Sequence, residues 1–134
     1  MSVQLSTTVR NARLDQIETT IGTAPLLRIY TGGVPATCAT AASGTKLVEI
    51  TLPSDWMAAA SNGSKSMLGS WASTGITSGT AGYYRIYDST GTTCHLQGTV
   101  TASGGGGDMT LDNTSIATSQ NVSVTSYTWT DGNG

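Results

Sequence analysis

His95 is the single histidine of the chain, and Cys94 stands beside it. A histidine next to a thiol is the pair that general-base activation of a nucleophile uses, given a carboxylate to orient the ring. Neighbours in a strand point to opposite faces, however, so these two do not meet directly. The chain has no Gly-x-Ser-x-Gly elbow. Cys38, Cys94 and His95 make three metal ligands at most, and no two ligands have the close spacing of a zinc knuckle. Asp108, Asp112 and Asp131 lack the spacing of a calcium loop. Gly104 to Gly107 would cradle a phosphate only between a strand and a helix. The segment after it, Asp108 to Leu111, reads as strand, and no lysine is placed to help. The glycine run is therefore read as a flexible hairpin connection. These residues point to a protein that is not an enzyme and that needs neither cofactor nor metal.

The elements that position these groups follow from composition. The chain has 134 residues, a net charge of −2 and only 10% charged residues. One domain's core fits this length. The charge balance excludes the basic field of a nucleic-acid binder and the acidity of a solvated disordered tail. Ser and Thr supply about three residues in ten, well above ordinary usage. Such a polar, weakly charged chain is expected to be all-β. Met1 to Arg10 lacks the apolar segment of a signal peptide, and no stretch is long enough to span a membrane. Cys38 and Cys94 fit either one long-range disulfide or two buried thiols. The thiol form is favoured, since both lie in apolar or β-like stretches.

Thr8 to Ile21 is the one expected helix. Leu14, Ile17 and Ile21 share a face, Ser6 to Thr8 offer capping hydroxyls, and Gly22 supplies the stop. Arg10, Arg13, Asp15 and Glu18 lie mainly on the other face. Strands are expected over Pro25–Thr31, Lys46–Leu52, Ser66–Ala72, Gly82–Asp88, Thr92–Thr101, Asp108–Asp112 and Val122–Thr130. A single helical turn is expected after Pro53. In the last strand, alternation puts Val122 and Val124 on one face and Tyr127 and Trp129 on the other. Seven to eight short strands at this spacing predict an antiparallel β-sandwich or jelly roll with one N-terminal helix. The division is an arm and amphipathic helix over 1–22 and a β-domain over 23–134. Trp56, Trp71 and Trp129 suit a core, a subunit interface or a sugar-stacking platform.

Several segments together carry a resemblance: Val9–Ile21, Leu26–Ile29 with Thr31-Gly32, Thr51–Ala60, Gly79–Asp88, Thr92–Val100, Gly104–Thr110 and Thr130-Asp131-Gly132. With them the chain resembles a family of small tailed-bacteriophage and prophage proteins encoded among virion structural genes. The resemblance implies a virion component made in the bacterial cytoplasm, and no catalytic residue comes with it. The first expectation is a capsid decoration (cement) protein bound to the major capsid protein as a homo-oligomer, a dimer or trimer, on the particle. Leu14, Ile17 and Ile21 would supply apolar burial in docking, and Arg10 and Arg13 would meet acidic capsid surface. The same helix is equally suited to capping its own domain. The rival expectation is a tail, baseplate or fibre component that binds the host surface. Neither expectation involves nucleic acid or membrane.

Overall fold

The computed structural model describes residues 3–131. Met1, Ser2 and the Gly132 of the C-terminal motif lie outside these residues. The chain is mostly β with one helix. The helix α1 spans Thr7–Ile21, and the strands are β1 (Leu26–Tyr30), β2 (Lys46–Thr51), β3 (Ser64–Ser66), β4 (Ala72–Thr74), β5 (Gly79–Thr80), β6 (Tyr83–Tyr87), β7 (Cys94–Ala102), β8 (Met109–Leu111), β9 (Ser115–Ile116) and β10 (Asn121–Thr130). The residues after Pro53 form no helical turn; Met57 instead bridges to Met67.

The main sheet runs β2-β1-β6-β7-β8-β10-β3, and β4 also pairs with β10. β3 and β4 lie along one edge of β10, interrupted between them. Met67 N–H donates to Tyr127 O and Val124 N–H to Trp71 O across the interruption. The sheet curls until its two ends meet, where Ile76 N–H donates to Leu47 O at 2.7 Å. β5 and β9 form a separate two-stranded ladder.

The sheet is mixed, which corrects the antiparallel expectation. β7 and β8 are parallel, with Val100 opposite Met109 and Ala102 opposite Leu111. Parallel neighbours ordinarily need a crossover of a dozen or more residues. Here the connection is the short stretch from Ser103 to Asp108, and the glycine run makes it feasible. Gly104 and Gly106 both adopt φ of +84°. A Cβ on Gly105 would stand 2.8 Å from the Thr101 side chain, and one on Gly107 would stand 2.9 Å from Thr101 N. Gly107 N–H donates to Thr101 Oγ1, and Asp108 Oδ2 accepts from Thr99 N–H. The glycine run is thus a compact, hydrogen-bonded reversal of the chain, not a loose hairpin loop.

The core is aromatic and aliphatic. Trp56, Trp71, Leu27, Ile29, Leu47, Ile50, Ile86 and Met109 are fully buried. Trp56 packs edge-on against Trp129, and Tyr127 packs against Trp71, Tyr84 and Trp129. Tyr127 and Trp129 therefore share the inner face with Val122 and Val124. A bulge between Val124 and Ser126 resets the alternation of β10, which corrects the split expected for that strand. Trp56 and Trp71 are fully buried in the core, and Trp129 packs against it partly covered.

Alternation of apolar and polar residues along β6 would cover only one face, yet all five of its residues are buried. Tyr84 and Ile86 face the core. Arg85 is 2% exposed, under the loop that joins β1 to β2. Its guanidinium donates to Thr37 O (3.2 Å), Thr40 O (2.6 Å) and Gln97 Oε1 (3.1 Å). Tyr83 fastens the same loop, donating to Ser43 O and accepting from Ser43 N–H. A buried guanidinium is sustained only by such a full set of acceptors.

Candidate docking surface

The helix begins where Ser6 accepts a hydrogen bond from Val9 N–H, and it ends where Gly22, at φ +95°, returns its N–H to Glu18 O. Both ends follow from residue type: a hydroxyl satisfies an orphan amide, and only glycine takes this φ without strain. The first turn starts one residue earlier than expected.

The buried side of α1 is a row of specific polar contacts around a small apolar strip. Leu14 is 4% exposed and Ile21 is 6% exposed. Ile17 is half-buried against the same core. Asn11 Oδ1 accepts from Gly63 N–H, and Asp15 Oδ1 from Ala60 N–H. Trp56 Nε1 donates to Gly22 O at 2.9 Å. Lys65 reaches out of β3 to Asp15 and Glu18. The helix thus caps its own sheet, and Leu14 and Ile21 serve the chain's own core.

Arg10 and Arg13 also turn inward in part. Arg10 Nη1 donates to Asp131 O (3.1 Å), and Arg13 Nε pairs with Asp131 Oδ2 (3.2 Å). They tie the end of β10 to the helix. Arg13 still leaves 59% of its side chain in solvent. Of the five residues expected to dock, Arg13 is exposed, Arg10 and Ile17 are half-buried, and Leu14 and Ile21 are buried, although both still border the grooves beside the helix.

Two grooves run along the seams between α1 and the sheet, one toward β7 and one toward the end of β10. One, of about 280 Å³, is lined by Arg13, Gln16, Ile17, His95 and Leu96. The other, of about 460 Å³, is lined by Arg13, Gln16, Ile17, Thr130 and Asp131. His95 lines the first groove together with residues of α1 and Leu96. Sequence spacing does not single out Leu96 and Thr130, because β7 and β10 reach the helix only through the curl of the sheet, nor Gln16, a polar residue outside the apolar stripe of α1. Among the described residues, no cluster of three or more His, Cys, Asp or Glu side chains is arranged to hold a metal. No helix among them is long and apolar enough to cross a membrane.

No family model matches the sequence, no curated protein matches it, and no solved structure matches the fold.

Proposed function

We propose that this protein is a bacteriophage virion structural protein, a non-enzymatic capsid decoration (cement) protein that docks on the major capsid lattice. The observation that carries the reading is the paired groove along α1. It offers the half-buried Ile17 and Leu96 as apolar contacts and the partly free Arg13 guanidinium as a polar one; the more exposed apolar side chains, Val3, Val9, Leu68 and Ile76, lie outside the grooves. The sequence resemblance to virion proteins supplies the occupant, the major capsid protein. A sandwich or jelly-roll geometry belongs to the same proposal: the curled sheet lays its two ends together around the aromatic core. On the particle the protein is a dimer or trimer, so modest contacts are multiplied by avidity.

The test is the copy number in purified particles, with heads separated from tails. Near-stoichiometric amounts on heads support decoration. A few copies travelling with tails overturn it in favour of a tail, baseplate or fibre role. Deleting α1 is a poor probe, since it uncovers the core. Arg13→Gln leaves the buried strip intact and sets no second carboxylate beside Asp131; it is expected to lower head occupancy at a stability cost of no more than about 1 kcal/mol, read from a thermal melt.

A further inference from the structure

Cys38 and Cys94 are separated by more than fifty positions in sequence, yet the fold brings them together. The register shift between Ile86 and Tyr87 sets Cys94 opposite Tyr87. Tyr87 is on the face of β6 that carries Arg85, whose Nη1 donates to the Tyr87 hydroxyl. Over that face lies the loop from Thr31 to Thr45. Arg85 Nη2 holds the carbonyls of both Thr37 and Thr40, which brackets Cys38. Gln97 Nε2 adds a bond to Pro35 O at 2.7 Å. The Cys94 thiol donates to Leu96 O, the Cys38 side chain lies close enough to perturb it, and both thiols are free. Each is only partly covered, so a small reagent reaches them.

We propose that Cys38 and Cys94 form a redox staple, in which an intramolecular disulfide made by exchange with a small-molecule disulfide such as oxidised glutathione locks the Thr31–Thr45 loop onto β7. In the first step the Cys38 thiolate attacks one sulfur of oxidised glutathione. A Cys38–glutathione bond forms, the glutathione S–S bond breaks, and the departing thiolate takes up a proton. In the second step Cys94 Sγ attacks the Cys38 sulfur and gives its proton to the second departing glutathione. Two protein thiols are oxidised and one oxidised glutathione becomes two reduced molecules. Burial pushes the Cys94 thiol up to about 12, with the neighbouring Cys38 adding to the shift. Cys94 is therefore suited to the second, intramolecular step, where proximity offsets its low thiolate fraction. The bonds from Arg85 and Gln97 already hold the loop beside β7, which shortens the search the second step needs.

This inference is independent of any role in a virion. The full chain is incubated with oxidised glutathione and analysed by intact mass, by thiol titration and by peptide mapping without reductant. The expected result is loss of both thiols, a mass decrease of two hydrogens, a peptide joining the segments of Cys38 and Cys94, and a rise in Tm of about 10 °C that dithiothreitol reverses. Cys38→Ser and Cys94→Ser each stop at a glutathione adduct or a free thiol and show no such rise. Glutathione retained on the wild-type chain, disulfide-linked dimers, unreactive thiols, or an internal bond without a Tm increase would each overturn the proposal.

Discussion

Lys65 Nζ stands 2.7 Å from Asp15 Oδ1 and 2.8 Å from Glu18 Oε1, with only 2% of the lysine side chain in solvent. The ammonium also donates to Ala58 O. A charge this deep persists because three acceptors replace its water. The contact joins β3, the far end of the sheet, to one turn of α1.

Removing that ammonium separates helix from sheet. Lys65→Ala is expected to cost about 2 kcal/mol. That is below the range for a fully buried pair, because Asp15 and Glu18 keep partial access to water. Urea denaturation measures the loss, and Asp15→Asn is expected to lose less, since Glu18 still meets the lysine.

The same groups set the pH range of stability. The Lys65 hydrogen bond holds the Asp15 carboxyl below its ordinary value. Burial opposes ionisation of Glu49, but the bonds from Arg28 and Lys46 leave it lowered as well. These contributions are present above the ordinary carboxylate value and are lost as pH falls through the depressed one. Burial opposes the charge on Lys65, and the Asp15 and Glu18 bonds raise it nonetheless. Its contribution is complete below the ordinary lysine value and is lost as pH rises through the raised one. Burial also raises the Cys94 thiol and the Tyr127 hydroxyl, which ionise first in the unfolded chain, so stability is expected to be flat between about pH 5 and pH 8 and to fall on both sides. Thermal melts across pH check this, and Lys65→Met is expected to remove the lysine's part of the alkaline fall.

Tyr84 and Tyr127 join their hydroxyls at 2.6 Å inside the core. Burial pushes the Tyr127 hydroxyl up to about 12 and raises Tyr84 as well, so both stay neutral. Tyr127→Phe leaves the Tyr84 hydroxyl without this partner and is expected to cost about 1–2 kcal/mol. The double replacement by Phe is expected to cost less than the sum of the single ones. A denaturation cycle over the four proteins measures the coupling, and strict additivity would show that the pair contributes nothing.

The reversal between β7 and β8 is also open to test. Gly106→Ala forces a side chain into φ of +84° and is expected to cost about 1 kcal/mol or more. Gly105→Ala presses a methyl on Thr101 and is expected to destabilise as well. Gly33→Ala meets open space at an ordinary φ and serves as the control, expected within about 0.5 kcal/mol of the parent. Equal Tm values for all three would mean that the loop is not held as described.

Much of this fold is legible from local pattern. α1 announces itself through Ser6, the Leu14-Ile17-Ile21 stripe and Gly22, and most strands fall where apolar and β-branched residues alternate. What pattern misses is long-range. The bulge after Val124 leaves no mark in the residue types, so Tyr127 and Trp129 read as facing the wrong way. The outer face of β6 is covered by a loop of small residues that looks too polar to bury anything, so Arg85 passes for a surface charge. The parallel β7–β8 pair hides because a glycine run between two strands reads as a hairpin. At the candidate docking surface, Ile17 is legible as part of the apolar stripe of α1 and Arg13 as one of the charges on its other side. Leu96 and Thr130 are not, since only the curl of the sheet carries them to α1.

β10 is the strand on which this architecture converges: it pairs with β3 and β4 along one edge and with β8 along the other. Its partners are scattered over the preceding sequence, so most of its pairings close long loops. Folding is therefore expected to be slow for a chain of this size. During translation, Trp56, Trp71 and Tyr84 wait for Tyr127 and Trp129 before their aromatic cluster is complete. Until β10 emerges from the ribosome, the earlier strands expose an open edge and an unsealed apolar face. The nascent protein is most vulnerable to aggregation in that interval, and chaperone protection matters most there.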